Sequence, residues 1–312
     1  MSARVSMRLA LALASGPCLA FGALGSFGCD DPLKSASLIE ETRILGARLE
    51  VAGEPDRGSP APGESAHFRL FVAAPNGEPN VSYGFAVCGV TPTNSGFPPC
   101  KTPPLAAAFQ AQPGVAPPSF DFQVPAELDL SATPHGFVTG IVCPNGGAEL
   151  SGDSGARCVD GAGDAVGFEF DFAGAGEDNG NPTLRADALE FDGAAWAATD
   201  AGADCNSLPQ VGAKTAHRLR VQLQDGDFDS LVQMNSADPQ RETLLLSQFC
   251  SAGKLAHTFV SLTPSTPNLA GEVGWDAPTQ ADPGGTLVHF YFVVRDSRGG
   301  EDLATRALCV VP

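Results

Sequence analysis

"SAHFRLFVA", residues 65–73, and "TAHRLRVQL", residues 215–223, decide how this chain folds. Phe68, Leu70 and Val72 fall on every second position of the first stretch, as do Leu219, Val221 and Leu223 in the second. A period of two buries one side of a strand and wets the other, as in antiparallel sheets packed face to face. Similar short runs recur before and after: "TRILGARLEV" (42–51), "VSYGFAVC" (81–88), "SFDFQV" (119–124), "GFVTGIVC" (136–143) and "VGFEFDFA" (166–173). A second set follows in "LRADALEF" (184–191), "TLLLSQFC" (243–250), "GEVGWDA" (271–277), "LVHFYFVVRD" (287–296) and "TRALCVV" (305–311). With 36 Gly and 26 Pro to make turns and 19 Phe to fill cores, the chain reads as all-β.

The two sets of strands lie over one another. Ser65-Ala66-His67 matches Thr215-Ala216-His217 at an offset of 150. Phe122-Gln123-Val124-Pro125 matches Trp275-Asp276-Ala277-Pro278, and Gly146-Gly147 matches Gly299-Gly300, both at 153. A tandem duplication is the reading, with sandwich domains at 40–173 and 184–312 and a linker over 174–183. "PAPGESAHFRLFVAAPNGEP" (60–79) resembles the entry strand and first turn of bacterial immunoglobulin-like or PKD-like modules. "VHFYFVVRDSRGGED" (288–302) is similar to their penultimate strand and hairpin, with Asp296 and Gly299-Gly300 at the turn. The resemblance implies two tandem immunoglobulin-like antiparallel β-sandwiches; a function does not follow from it.

Ahead of these strands, "MSARVSMR" carries Arg4 and Arg8 without an acid, and an apolar or small stretch then runs to Gly28. A basic start, a short apolar core and a small-residue exit describe an export signal over residues 1–28. Gly16-Pro17 interrupts the run, short of the roughly 20 apolar residues of a membrane span. Cys29, after Gly28 and before Asp30-Asp31, resembles the acylated cysteine of bacterial lipoproteins, although Ser26 and Phe27 depart from the usual pattern. The resemblance implies an envelope lipoprotein held to a bilayer by Cys29, in the periplasm or at the cell surface, with residues 29–39 as a flexible tether. Ordinary cleavage after Ala20-Phe21-Gly22 is the alternative. Loss of residues 1–28 removes two arginines and no acid, taking the formal charge from −18 to −20. So acidic a chain repels phosphate backbones, which argues against a nucleic-acid partner.

Export makes disulfides plausible. Short loops favour Cys88–Cys100 and Cys143–Cys158, while Cys309 should join Cys205 or Cys250, with Cys205 preferred. With Cys29 acylated, one of the seven remaining thiols is spare. No Cys-x-x-Cys occurs, so thiolate metal sites are the poorer reading.

Chemistry is harder to find. "SGDSGARC" (151–158) is similar around Ser154 to the nucleophile surroundings of chymotrypsin-like proteases, but Ala156-Arg157 replace the family's Gly-Pro. A polar hairpin loop closed by two cysteines explains it better. "SAGK" (251–254) lacks the companion motifs of penicillin-recognising enzymes. Acid clusters carry more weight. "QDGDFDS" (224–230) sets Asp225, Asp227 and Asp229 at alternate positions, as calcium loops do, but Ser230 and Ser236 stand where an EF-hand wants Gly and Glu. "EDNGNP" (177–182) offers Glu177 and Asp178 at the domain junction, where calcium would stiffen the angle. The expectation is a non-enzymatic module of structural, adhesion or ligand-binding type, for an unknown protein or envelope ligand. The alternative is a secreted hydrolase in which Ser154 is the one weak candidate.

Overall fold

The computed structural model describes residues 35–89, 100, 103–114, 117–151, 155–174, 179–199, 203–231 and 240–312. Among them every regular element except two short 3-10 turns is a strand. In the N-terminal half, β1 (Arg43–Val51), β2 (Ser65–Ala73) and β5 (Ser119–Gln123) form one antiparallel sheet in the order β1-β2-β5. The facing sheet has the order β4-β3-β6-β9, from β3 (Val81–Cys88), β4 (Ala106–Gly114), β6 (His135–Cys143) and β9 (Asp164–Asp171). A hairpin of β7 (Ala148–Ser151) and β8 (Gly155–Cys158) lies on the outside of the second sheet. Between the sheets the alternating positions meet as a phenylalanine core. Phe68 touches Phe85 and Phe168 edge-on at 5.9 and 5.6 Å, and Phe170 meets Phe122 and Phe172. Edge-to-face contacts suit the ring quadrupole and contribute beyond the area they bury.

The C-terminal half has the same plan. One sheet runs β11-β10-β13-β19-β17: β10 (Leu189–Phe191), β11 (Ala194–Ala195), β13 (Ala216–Gln222), β17 (Lys254–Leu255) and β19 (Ala270–Asp276). The other runs β12-β21-β20-β16-β18: β12 (Gln210–Gly212), β16 (Leu244–Cys250), β18 (Phe259–Leu262), β20 (Thr286–Arg295) and β21 (Glu301–Val311). A small hairpin pairs β14 (Ser230–Leu231) with β15 (Gln240–Arg241). Here the core is built on Trp196 and Trp275, both edge-on to Phe290 at 5.1 and 5.0 Å. The order β10-β13-β19 parallels β1-β2-β5, and β18-β16-β20-β21 parallels β4-β3-β6-β9.

The ladder corrects one sequence anchor. Ala66 pairs with Phe122 and is buried, whereas the residue that pairs with Trp275 is His217, not the exposed Ala216. The match of Ser65-Ala66-His67 to Thr215-Ala216-His217 is therefore one residue out of step. A slip of one turns every side chain to the opposite face, so burial parity outranks letter identity. The anchor at Phe122 and Trp275 stands on equivalent rungs.

Three disulfides cross-link the described residues: Cys88–Cys100, Cys143–Cys158 and Cys205–Cys309, with Cα separations of 5.3, 5.5 and 5.0 Å. The last pins β12, which runs parallel to β21. Among the described residues Cys250 is the free cysteine; it is buried, and desolvation pushes its thiol up to about 12. Disulfides persist in oxidising compartments, which places the chain outside a reducing cytoplasm. No helix among the described residues is long and apolar enough to cross a membrane.

Residues 35–312 pack as one unit, because a third apolar cluster joins the halves. Ile39, Leu45, Phe71 and Ala73 meet Phe249, Tyr291 and Val293, and the Tyr291 hydroxyl donates to the Ala74 carbonyl at 2.8 Å. Around this cluster sits a polar collar. Arg48, only 5 % exposed, donates to the Pro182 and Glu301 carbonyls and lies 3.5 Å from Asp302. The Glu301 carboxylate accepts the Ala47 amide at 2.9 Å and faces Arg295 at 3.4 Å.

The expected tether and the expected linker are both partly built in. Of the expected tether 29–39, Ser37 and Ile39 are buried, with Ile39 donating to the Cys250 carbonyl and Cys250 to that of Ser37, each at 2.9 Å. Of the expected linker 174–183, Asn179 and Asn181 are buried, and the Asn181 amide donates to the Leu49 carbonyl at 2.7 Å. Both segments lie where the halves meet, so their backbones find partners in place of water.

Candidate functional site

A concave surface lies on the outer face of the β10-β13-β19 sheet, an open depression of about 840 Å³. Its floor is low because Gly274 stands opposite Arg218 across the β13–β19 ladder and offers no side chain. Outward positions of the three strands supply the walls: Glu190, Arg218, Arg220 and Glu272. Arg220 bonds Glu190 at 2.9 Å and lies 3.8 Å from Glu272. Arg218 is 3.7 Å from Glu272, with its side chain 73 % exposed. The guanidinium of Arg218 thus stands free for a further hydrogen-bond acceptor on a chain whose net charge is −18.

One end of the depression is closed by His217. Its ring lies between Phe191, stacked at 4.9 Å, and Trp275 at 5.7 Å. Nδ1 is 2.7 Å from the Asp192 carboxylate and Nε2 is 2.7 Å from the Thr215 hydroxyl. Partial burial pushes the Asp192 carboxyl up, but the Arg218 amide and the imidazole outweigh it and hold it below the usual range. Hydroxyl, imidazole and carboxylate follow the order of a hydrolase triad. The Thr215 hydroxyl, however, also lies 2.5 Å from the Gly212 carbonyl, a competing acceptor for its one proton. The stacked ring clamps the β10–β13 corner.

The aspartates of the "QDGDFDS" motif point to three separate partners. Asp225 pairs with Arg241, Asp227 is buried against Arg185 at 3.0 Å, and Asp229 meets Arg298 at 2.6 Å. Asp227 also accepts the Gln224 amide, which closes the 3-10 turn over 225–227. A calcium shell on these three carboxylates would first have to displace three guanidinium groups. Among the described residues no group of three or more His, Cys, Asp or Glu side chains is placed to hold a metal. Glu177, Asp178, Ser154 and Cys29 lie outside the described residues. Asp229 also accepts the Gly180 amide at 2.7 Å, so the "QDGDFDS" and "EDNGNP" motifs do meet at the junction. There Glu242, buried beside Asp229, Asp296 and Arg298, has its carboxyl pushed up to about 7 by desolvation.

Scanned against protein-family models and against curated proteins, the chain matches none. Sequence reading singles out neither His217 nor Arg218 as a site residue. A signal was present: Arg218, Arg220, Glu190 and Glu272 all fall on wet-side positions. Only the pairing of Arg218 with Gly274 shows that these charges surround a hollow.

Proposed function

We propose that this chain is a non-enzymatic lipoprotein of the cell envelope, two immunoglobulin-like sandwiches anchored through acylated Cys29, which presents the Arg218 depression to a polar ligand. The observation that carries the reading is the leader itself: a basic start and an apolar run that end at Gly28-Cys29, with Asp30-Asp31 directly after. Each buried CH₂ of an acyl chain adds ~0.8 kcal/mol, so multiple chains make a lasting anchor. Three disulfides agree with an oxidising envelope compartment.

The depression supports the binding half of the proposal. Its walls carry paired charges, and the exposed Arg218 guanidinium, 3.7 Å from Glu272, has donors left for a ligand rich in carboxylate or hydroxyl oxygens. Intact mass of the protein isolated from its native membrane tests the anchor. A chain beginning at Cys29 and carrying the added mass of acyl groups is expected; an unmodified chain starting at Met1 would overturn it. For the surface, Arg218→Ala should weaken retention on immobilised envelope glycans, and unchanged retention would remove the depression from the reading.

A further inference from the structure

Among the described residues, the edges of the four main sheets are short, charged or covered, with one exception. β11, β12 and β17 have two or three residues and β18 has four. β9 carries Asp164, Glu169 and Asp171, β5 carries Asp121, and β1 carries Arg43, Arg48 and Glu50 and packs against β21. Such devices keep sheet edges from pairing. β4 has nine residues, hydrogen-bonds only to β3 and reads Ala-Ala-Ala-Phe-Gln-Ala-Gln before Pro113. No charged residue occurs from Thr102 to Phe120.

Among the described residues, three of the four large apolar side chains that stand exposed gather at this edge. Phe109 of β4 is 39 % exposed, and its ring and Ala156 of β8 both lie over Gly84. Leu150 stands opposite Ala156 in the hairpin, on the β4 side, and is 69 % exposed. A methyl group on Gly147 would touch both the Ala111 carbonyl of β4 and the exposed Val159.

The geometry points to β4 as the seam of a homodimer, pairing antiparallel with β4 of a second copy across a two-fold axis. The row of outward amides and carbonyls on an edge is met by another strand, and an antiparallel partner of identical sequence closes the assembly. Electrostatics favour this contact between copies. A surface with net charge −18 repels its own copy, and β4 is the long edge that itself carries no charge, while Glu149 of the neighbouring hairpin is paired with Arg157. Phe109 and Leu150 of each copy would then cover one another across the seam.

Sedimentation velocity of the purified protein from about 1 to about 100 µM tests this. A dimer that tightens with added salt is expected, since screening weakens the acidic repulsion. Phe109→Glu/Ala111→Glu should weaken it by ~10-fold or more, while Phe259→Glu, at an exposed phenylalanine of β18, should leave it intact. Hydrogen exchange gives a second readout on the unaltered protein: β4 amides should gain protection as concentration rises. A monomer throughout, a dimer indifferent to the β4 pair, or β4 amides that exchange alike at both ends of the range would overturn the seam.

Discussion

The two halves share a strand order and solve the same packing problem with different covers. In the N-terminal half, the outer face of the β3–β6 sheet is roofed by the β7–β8 hairpin, which leaves Phe109 and Leu150 partly in water. In the C-terminal half, the equivalent β16–β20 face is roofed by the other half, through Phe71, Leu45 and Ile39. Cysteines follow the same division. Cys88 faces Phe137 and Cys250 faces Phe290 on corresponding rungs. Cys88 is tied to Cys100 in a local loop, whereas Cys250 lies where the Ser37–Ile39 segment docks and has no bridge. A sheet face closed by a domain-sized partner needs no local staple; one closed by a hairpin has one at each side.

The contrast can be broken most forcefully at the cross-links. Cys205→Ser opens a 104-residue loop and Cys158→Ser a 15-residue one. The chain-entropy relation gives ~4.7 and ~3 kcal/mol for loops of these sizes. Denaturant melts should show the larger loss in the C-terminal half; equal losses would mean that strain or residual structure, not loop length, governs. Next comes the collar between the halves. Arg48→Ala leaves Asp302 buried without its cation, an expected cost of about 3 kcal/mol. Two separate melting transitions in place of one would show that the halves had come apart.

Per group, a smaller effect concerns pH. Desolvation lifts both Glu242 and Glu301 to about 7, from an ordinary 4.5. Between those values the folded chain holds protons that the unfolded chain has released, so this contribution is full below 4.5 and lost as pH climbs through 7. Burial pushes Asp296 and Asp302 in the same direction. His289, pushed down by burial, works the opposite way and costs stability below its usual range. Melting at pH 5 against pH 8 should show a loss toward the alkaline side of roughly 2 to 3 kcal/mol for each of these two carboxyls, less the opposing His289 contribution, and Glu242→Gln/Glu301→Gln should flatten it. The smallest expected effect is at Cys250, whose thiol in the native protein should resist iodoacetamide and react once guanidinium unfolds the chain. Native labelling would place it outside the core.

Strands were legible because the period-two pattern acts within five or six residues: Phe68-Leu70-Val72 can be read without knowing what they touch. Register was not, and the anchor at 215–217 came out one residue adrift, since Ala216 and Ala66 look alike until burial separates them. The alternate aspartates were equally visible, but their partners Arg185, Arg241 and Arg298 are scattered over the C-terminal half. A spacing rule sees ligands along the chain and misses cations that arrive across it. Ile39 illustrates the same limit. Nothing near it marks it as buried, because the surface that buries it comes from Phe249 and Tyr291.

The backbone pairing of Ser37 and Ile39 with Cys250 has a mechanical consequence. Tension entering from the upstream end does not first reach the terminal strand of one sandwich and peel it. It arrives at a clasp gripped by both, with the Cys250 strand flanked by β20 and the Ile39 side chain wedged against Tyr291 and Phe71. Load from that end is therefore shared at the outset, and the molecule should yield at this clasp before either pair of sheets is sheared.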